Sequence, residues 1–94
     1  MTVDDLTVNY EENGILVTKE LDKIVLTKGA WATIIYKYQN WDKAKSAYGP
    51  NVYTIRRYQK RNDNYMQKSK FNISSNDQAQ KIINALTGWI NESA

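Results

Sequence analysis

Apolar and polar positions change their period along the chain, and each change marks an element. Residues 1–14, MTVDDLTVNYEENG, show no regular alternation. Val3, Leu6, Val8 and Tyr10 are scattered among polar and acidic residues, which predicts a loosely held, partly extended arm. Asn13-Gly14 is a turn signal. The stretch after it sets Ile15-Leu16-Val17 before Ile24-Val25-Leu26; the second triplet carries the stronger strand signal, and Lys28-Gly29 ends it. AWATIIYKYQNW, residues 30–41, is rich in β-branched and aromatic types and predicts a long strand. Residues 42–51 read as a loop punctuated by Gly49-Pro50. VYTIRRYQKR is a third strand and YMQKSKFNI a fourth, joined as a hairpin by the tight polar turn Asn62-Asp63-Asn64.

From Ser74 the period lengthens. Ser74 or Ser75 can serve as N-cap, with Asp77 or Gln78 three residues on. Ala79, Ile82, Ile83, Leu86 and Ile90 then recur at helical spacing as one apolar stripe, flanked by Ala85 and Trp89. The predicted order is β-β-β-β-α. The fold class is α+β, a four-stranded antiparallel sheet followed by a C-terminal amphipathic helix, with residues 1–14 as an acidic arm and 15–94 as the body. One helix can cover one face of such a sheet; the other face must meet water, a second subunit or a ligand. A chain of 94 residues builds one small domain with a modest core, for which association as a homo-oligomer is a reasonable expectation.

Charge sharpens the picture of that second face. The net charge is +3, but residues 1–24 stand at −4 and residues 25–94 at +7. A basic body points to a polyanionic partner. The hairpin concentrates the charge: Arg56, Arg57, Lys60, Arg61, Lys68 and Lys70 against the single acid Asp63. Strict alternation puts Thr54, Arg56, Tyr58 and Lys60 on one side of the third strand, and Tyr53, Ile55 and Arg57 on the other. In the fourth strand it groups Met66, Lys68, Lys70 and Asn72 apart from Tyr65, Gln67, Ser69, Phe71 and Ile73. In the second strand the row holding Lys37 matches the cationic face better than the row of Ala32, Ile34, Tyr36 and Tyr38, although Ile35 argues against it. Unopposed like charges on one face are locally unfavourable without a counter-charge. Phosphates would supply it, and a tyrosine among cations would supply a stacking surface, the pairing that single-stranded nucleic acid requires. The same face could instead be solvated, its lysines deterring edge-to-edge aggregation. Trp41, at the lip of the 42–51 loop, is the best stacking candidate among the tryptophans; the helix stripe reads as core and dimer contact.

The chain has no Cys and no His, which rules out disulfides, the usual zinc sites and Ser-His or Cys-His relays. No acid spacing suggests a catalytic pair, so neither an enzyme nor a cofactor is expected. No signal peptide or membrane span is visible, and a cytoplasmic, nucleoid-associated location is the expectation.

IRRYQKRNDNYMQKSKFNISSNDQAQKIINAL resembles the C-terminal domain of the PC4 (p15 transcriptional coactivator) family and its bacterial and phage relatives. The likeness rests on Ile55-Arg56-Arg57-Tyr58 in the third strand, and on a Lys-containing fourth strand leading through Ile-Ser into the final helix; it covers roughly residues 20–92. It implies a homodimer whose sheets form channels for single-stranded DNA with little sequence preference. By position, Arg56 matches a DNA-contacting arginine, Lys70 and then Lys68 fall in the basic segment before the helix, and Lys37 is similar to a basic residue late in the second strand. The chain departs from the pattern in three places. The connection from Gln39 to Asn51 is longer, Gln59 stands where the family has an aromatic, and an acidic arm replaces the Ser/Lys-rich leader. These departures shift the implied role from coactivation towards replication, recombination or repair. The expected interface is thus Lys37, Trp41, Arg56, Tyr58, Lys60, Lys68 and Lys70, with single-stranded DNA as partner; an RNA-binding domain or a protein-interaction module using the same face is the rival expectation.

Overall fold

The computed structural model describes residues 2–93. After a 3-10 turn at Val3–Asp5, six strands follow: β1 (Tyr10–Glu12), β2 (Ile15–Thr27), β3 (Trp31–Asp42), β4 (Ala47–Tyr48), β5 (Val52–Arg61) and β6 (Asn64–Ile73). Helix α1 (Asn76–Glu92) ends the chain. All pairings are antiparallel, in the order β1-β2-β3-β5-β6, with β4 folded back on the end of β3. The α+β class and the terminal helix agree with the sequence pattern, whereas the four expected strands become six.

Local turn chemistry accounts for the extra strands. Asn13 and Gly14 both take positive φ, 52° and 80°, as a two-residue hairpin loop requires. That turn lays Tyr10–Glu12 against the start of β2 and lets β2 run 13 residues rather than a single triplet. Asp42 Oδ1 accepts the amides of Ala44 and Lys45, and Ser46 takes φ 48°, so the expected loop turns back to pair Ala47 and Tyr48 with Asp42 and Trp41. Asn62 and Asp63 form the second two-residue turn, at φ 52° and 64°, and build the predicted hairpin.

Ile73, opposite Tyr53 at the end of β6, is buried on one face of the sheet, and the main core cluster lies on the other. Ala32, Ile34, Tyr36 and Tyr38 from β3, with Thr54 and Tyr58 from β5, are buried there. Leu6 and Val8 of the acidic segment close over them, with Val3, Val25, Val52 and Tyr65 around the margin. The segment expected as a loose arm is therefore the layer seated on this sheet. Burying Leu6 and Val8 favours that seat by about 1.5–3 kcal/mol each.

The helix does not cover a sheet face. Ser75 caps it, its Oγ accepting the Gln78 amide at 3.1 Å, while Gln78 Oε1 accepts the Ser74 amide at 2.9 Å. Tyr53 Oη donates to Asn76 Oδ1 at 2.6 Å and fixes the helix start to β5. Beyond that point α1 has no buried residue, and its chief neighbour is β6. The molecule is a slab of 49 × 39 × 17 Å. Its radius of gyration, 15.4 Å, exceeds the roughly 12 Å of a compact chain this long.

Candidate nucleic-acid interface

Residues directly opposite in a ladder share a face, so the registers sort the side chains. The inner face, under Val3–Val8, carries Glu20, Lys23 and Val25 of β2 opposite Tyr38, Tyr36 and Ile34. Across β3 it continues with Thr54, Arg56 and Tyr58, opposite Tyr36, Ile34 and Ala32. On β6 it ends with Asn72, Lys70, Gln67 and Tyr65, opposite Thr54, Arg56, Tyr58 and Lys60. The outer face carries Ile24, Ile35, Ile55 and Phe71 in one cross-strand row, with Lys37 and Tyr53 beside it and Trp31 and Arg57 near one end.

Arg56 and Lys70 thus stand across from each other, and Lys60 lies on the same inner face nearer the hairpin turn. Arg56 Nη1 donates to Gln67 Oε1 at 3.0 Å, whereas its Nε is buried without a partner among the described residues. Lys60 Nζ lies 5.8 Å from the centre of the Tyr65 ring, whose hydroxyl donates to the Gly29 carbonyl at 2.9 Å. Lys70 and Lys60 are exposed, and Arg56 is half-buried. Among the described residues the one ion pair joins Asp77 and Lys81 on α1. No hairpin cation has a carboxylate partner within that set.

Three expectations change. Tyr58 does not offer its ring to solvent: it is 5% exposed, beneath Leu6 and Val8, and its hydroxyl is 2.9 Å from that of Tyr36. Burial, then the bond to Tyr58, push the Tyr36 phenol well above its ordinary pKa. Lys37 lies on the face opposite Arg56, because the Ala32–Tyr38 row, rather than the Lys37 row, aligns with Thr54, Arg56 and Tyr58. Ile35 in the Lys37 row was the warning sign. The grouping of β6 also changes: a bulge facing Arg57 and Tyr58 leaves Lys68 unpaired, so Gln67 and Tyr65 join Lys70 on the inner face while Phe71 lies outside.

Trp41 is half-buried and meets Tyr48 edge-on at 5.1 Å, away from the hairpin cations. Tyr48 in turn donates to the Leu16 carbonyl at 2.8 Å and takes Lys19 Nζ over its ring at 4.9 Å. The structure therefore brings together Arg56, Lys60 and Lys70, leaves Lys68 exposed at the bulge beside them, and separates Lys37 and Trp41. Two groups escaped the sequence reading. Arg57 lies 4.3 Å over the Trp31 ring on the outer face. Lys23, set among acids in the sequence, gave no signal of its inner-face position. No family model, curated protein or solved structure matches the chain.

Proposed function

We propose that this protein is a non-catalytic, sequence-nonspecific single-stranded DNA-binding protein that acts as a homodimer. The observation that carries the reading is the β5–β6 hairpin: six cations, one acid in its turn, and no carboxylate paired with any of the six among the described residues. Arg56, Lys60 and Lys70 project from one face of this hairpin, and a polyphosphate chain following the strands would neutralise them in sequence. Tyr65, beside Lys60, supplies an aromatic surface at the end of the strip. The hairpin followed by a capped terminal helix is also the order that the PC4 resemblance implies, and we extend the proposal to membership of that family.

The dimer reading has its own support. Ile24, Phe71, Ile83, Leu86, Trp89 and Ile90 are each 49–66% exposed. They form an apolar outer sheet face and an apolar helix stripe that the thin chain leaves uncovered. A second copy is the occupant, because one chain carries both surfaces and a two-fold arrangement presents each to its counterpart.

Titration with oligo-dT of varied length, against a matched duplex and an oligo-U of equal length, tests the reading. Submicromolar binding to oligo-dT with weak duplex binding is the expected result. Failure to bind oligo-dT at low salt removes the function, and a strong preference for oligo-U moves it to RNA.

A further inference from the structure

Residues 2–9 complete the core and also lie across the face that carries Arg56, Lys60 and Lys70. They belong to no strand, and no β-ladder holds them. Two charged side chains of β2 supply the polar part of their seat. Lys23 Nζ donates to the carbonyls of Val3, Asp4 and Leu6 at 3.2, 3.0 and 2.6 Å. The Glu20 carboxylate accepts from Thr7 Oγ1 at 2.6 Å and from the Val8 amide at 3.4 Å, and the Glu20 amide donates to Asn9 Oδ1 at 2.7 Å. The apolar part is Leu6 and Val8 over Tyr36, Tyr38 and Tyr58. Asp4 and Thr2, with Lys28, Lys60 and Tyr65, line a shallow concavity at the end of the cationic strip.

A segment held by a few side-chain contacts and without ladder bonds opens at lower free energy than the strands beneath it. Lifting it would bring the rings of Tyr36, Tyr38 and Tyr58 to a surface that already holds Arg56, Lys60 and Lys70, and would free the Lys23 ammonium from its three carbonyls. That surface has the aromatic-and-cation composition of a single-strand track, and in the closed chain an acidic segment occupies it.

We propose that residues 2–9 are an autoinhibitory strap, displaced when single-stranded DNA enters the inner face. The proposal rests on the DNA-binding reading above and names its regulation. It makes Lys23 a positioning residue of the closed state. Closed molecules must open before the full track is available, so apparent affinity falls with the closed fraction.

The test is Lys23→Met, which keeps a straight side chain and removes the ammonium. If Lys23 only contributes positive charge, the change weakens binding to oligo-dT. If it fastens the strap, losing a cation tightens binding, by about tenfold at low salt. Amide hydrogen exchange at Leu6, Val8 and Asn9, followed in the same variant, reports release of the strap. The unmodified protein gives a second measurement: saturating oligo-dT should speed exchange at those three amides while protecting the rest of the sheet. Unchanged or weaker binding by Lys23→Met with faster strap exchange overturns the proposal. So does unchanged or slower exchange of the three amides in the DNA-bound protein. Absence of any oligo-dT binding by both proteins is a different outcome, which removes the DNA-binding reading itself.

Discussion

Replacing Arg56 and Lys70 together by alanine removes two of the six hairpin cations, the two that face each other across the β5–β6 ladder. Each phosphate neutralised on a single strand contributes about 0.7 to the slope of log K against log salt. Four contacts per protomer, from Arg56, Lys60, Lys68 and Lys70, would give a slope of about −3, and losing two would flatten it by about 1.4. Between about 50 and 200 mM salt the gap in affinity between the parent and the double variant should therefore shrink by about sevenfold. Fluorescence anisotropy of a labelled oligo-dT across that range measures both slopes, and circular dichroism checks that the sheet is intact. Neither residue is in an ion pair among the described residues, and Lys70 is exposed, so little loss of fold is expected. Arg57→Ala is the control: Arg57 lies over Trp31 on the opposite face, and its loss should leave the slope unchanged. An unaltered slope in the double variant, or an equal loss from Arg57→Ala, would remove the inner-face track.

Leu86→Glu places a charge in the exposed apolar stripe of α1; sedimentation should show the dimer giving way to monomer with the strand content retained, and a dimer of unchanged affinity would exclude the helix from the interface. Stability should fall as pH rises from about 10. The folded state holds the Tyr36 phenol protonated above its ordinary pKa, so its contribution is complete below the unfolded value and is lost as the unfolded chain ionises. Tyr36→Phe should therefore lose less stability than the parent between about pH 9 and 11.5 in thermal melts; parallel curves would contradict that. Deleting Lys68 removes the unpaired residue of the β5–β6 bulge. The ladder then closes with Gln67 and Ser69 as successive partners of Tyr58 and Arg57, so Lys70 stays opposite Arg56 and Phe71 opposite Ile55. Oligo-dT binding should weaken only by the loss of one cation, less than in the Arg56/Lys70 double variant, and a loss as large as the double variant's would show that the bulge itself shapes the track.

Much of the architecture was legible because its signals are local. The Asn62-Asp63 turn, the β-branched run of β3, the serine cap and the 3.6-residue stripe of α1 each need only a few neighbouring residues to be recognised. The covered face was harder to read. Tyr36, Tyr38 and Tyr58 are strand residues whose burial depends on Leu6 and Val8, distant in the chain and diluted among acids. No alternation could announce that an irregular, acidic segment would form the second layer. Lys23 was invisible for a related reason: its partners are backbone carbonyls of Val3, Asp4 and Leu6, which exist in every sequence. The helix misled in the opposite sense. Its stripe is amphipathic, which predicts burial, but the stripe remains uncovered within one chain, and the surface that covers it belongs to the quaternary structure we propose.

The cationic strip also depends on a feature that period-two reading cannot see. A two-residue turn at Asn62-Asp63 pairs Arg61 with Asn64, Lys60 with Tyr65 and Tyr58 with Gln67. Continued without interruption, that register would set Lys70 opposite Ile55 and Phe71 opposite Thr54, and so reverse their faces. One extra residue at Lys68 shifts the remaining pairs, so that Lys70 meets Arg56 and Phe71 meets Ile55. The shift separates two incompatible tasks. Charge gathers on the inner face beside the acidic segment, and the aromatic ring joins the apolar row of Ile24, Ile35 and Ile55 outside. The energetic cost of the bulge is the loss of regular pairing at one position. Without it, Phe71 would crowd the site of Thr54 while Lys70 interrupted the apolar outer row, so neither the proposed DNA track nor the proposed dimer face could form from this sequence.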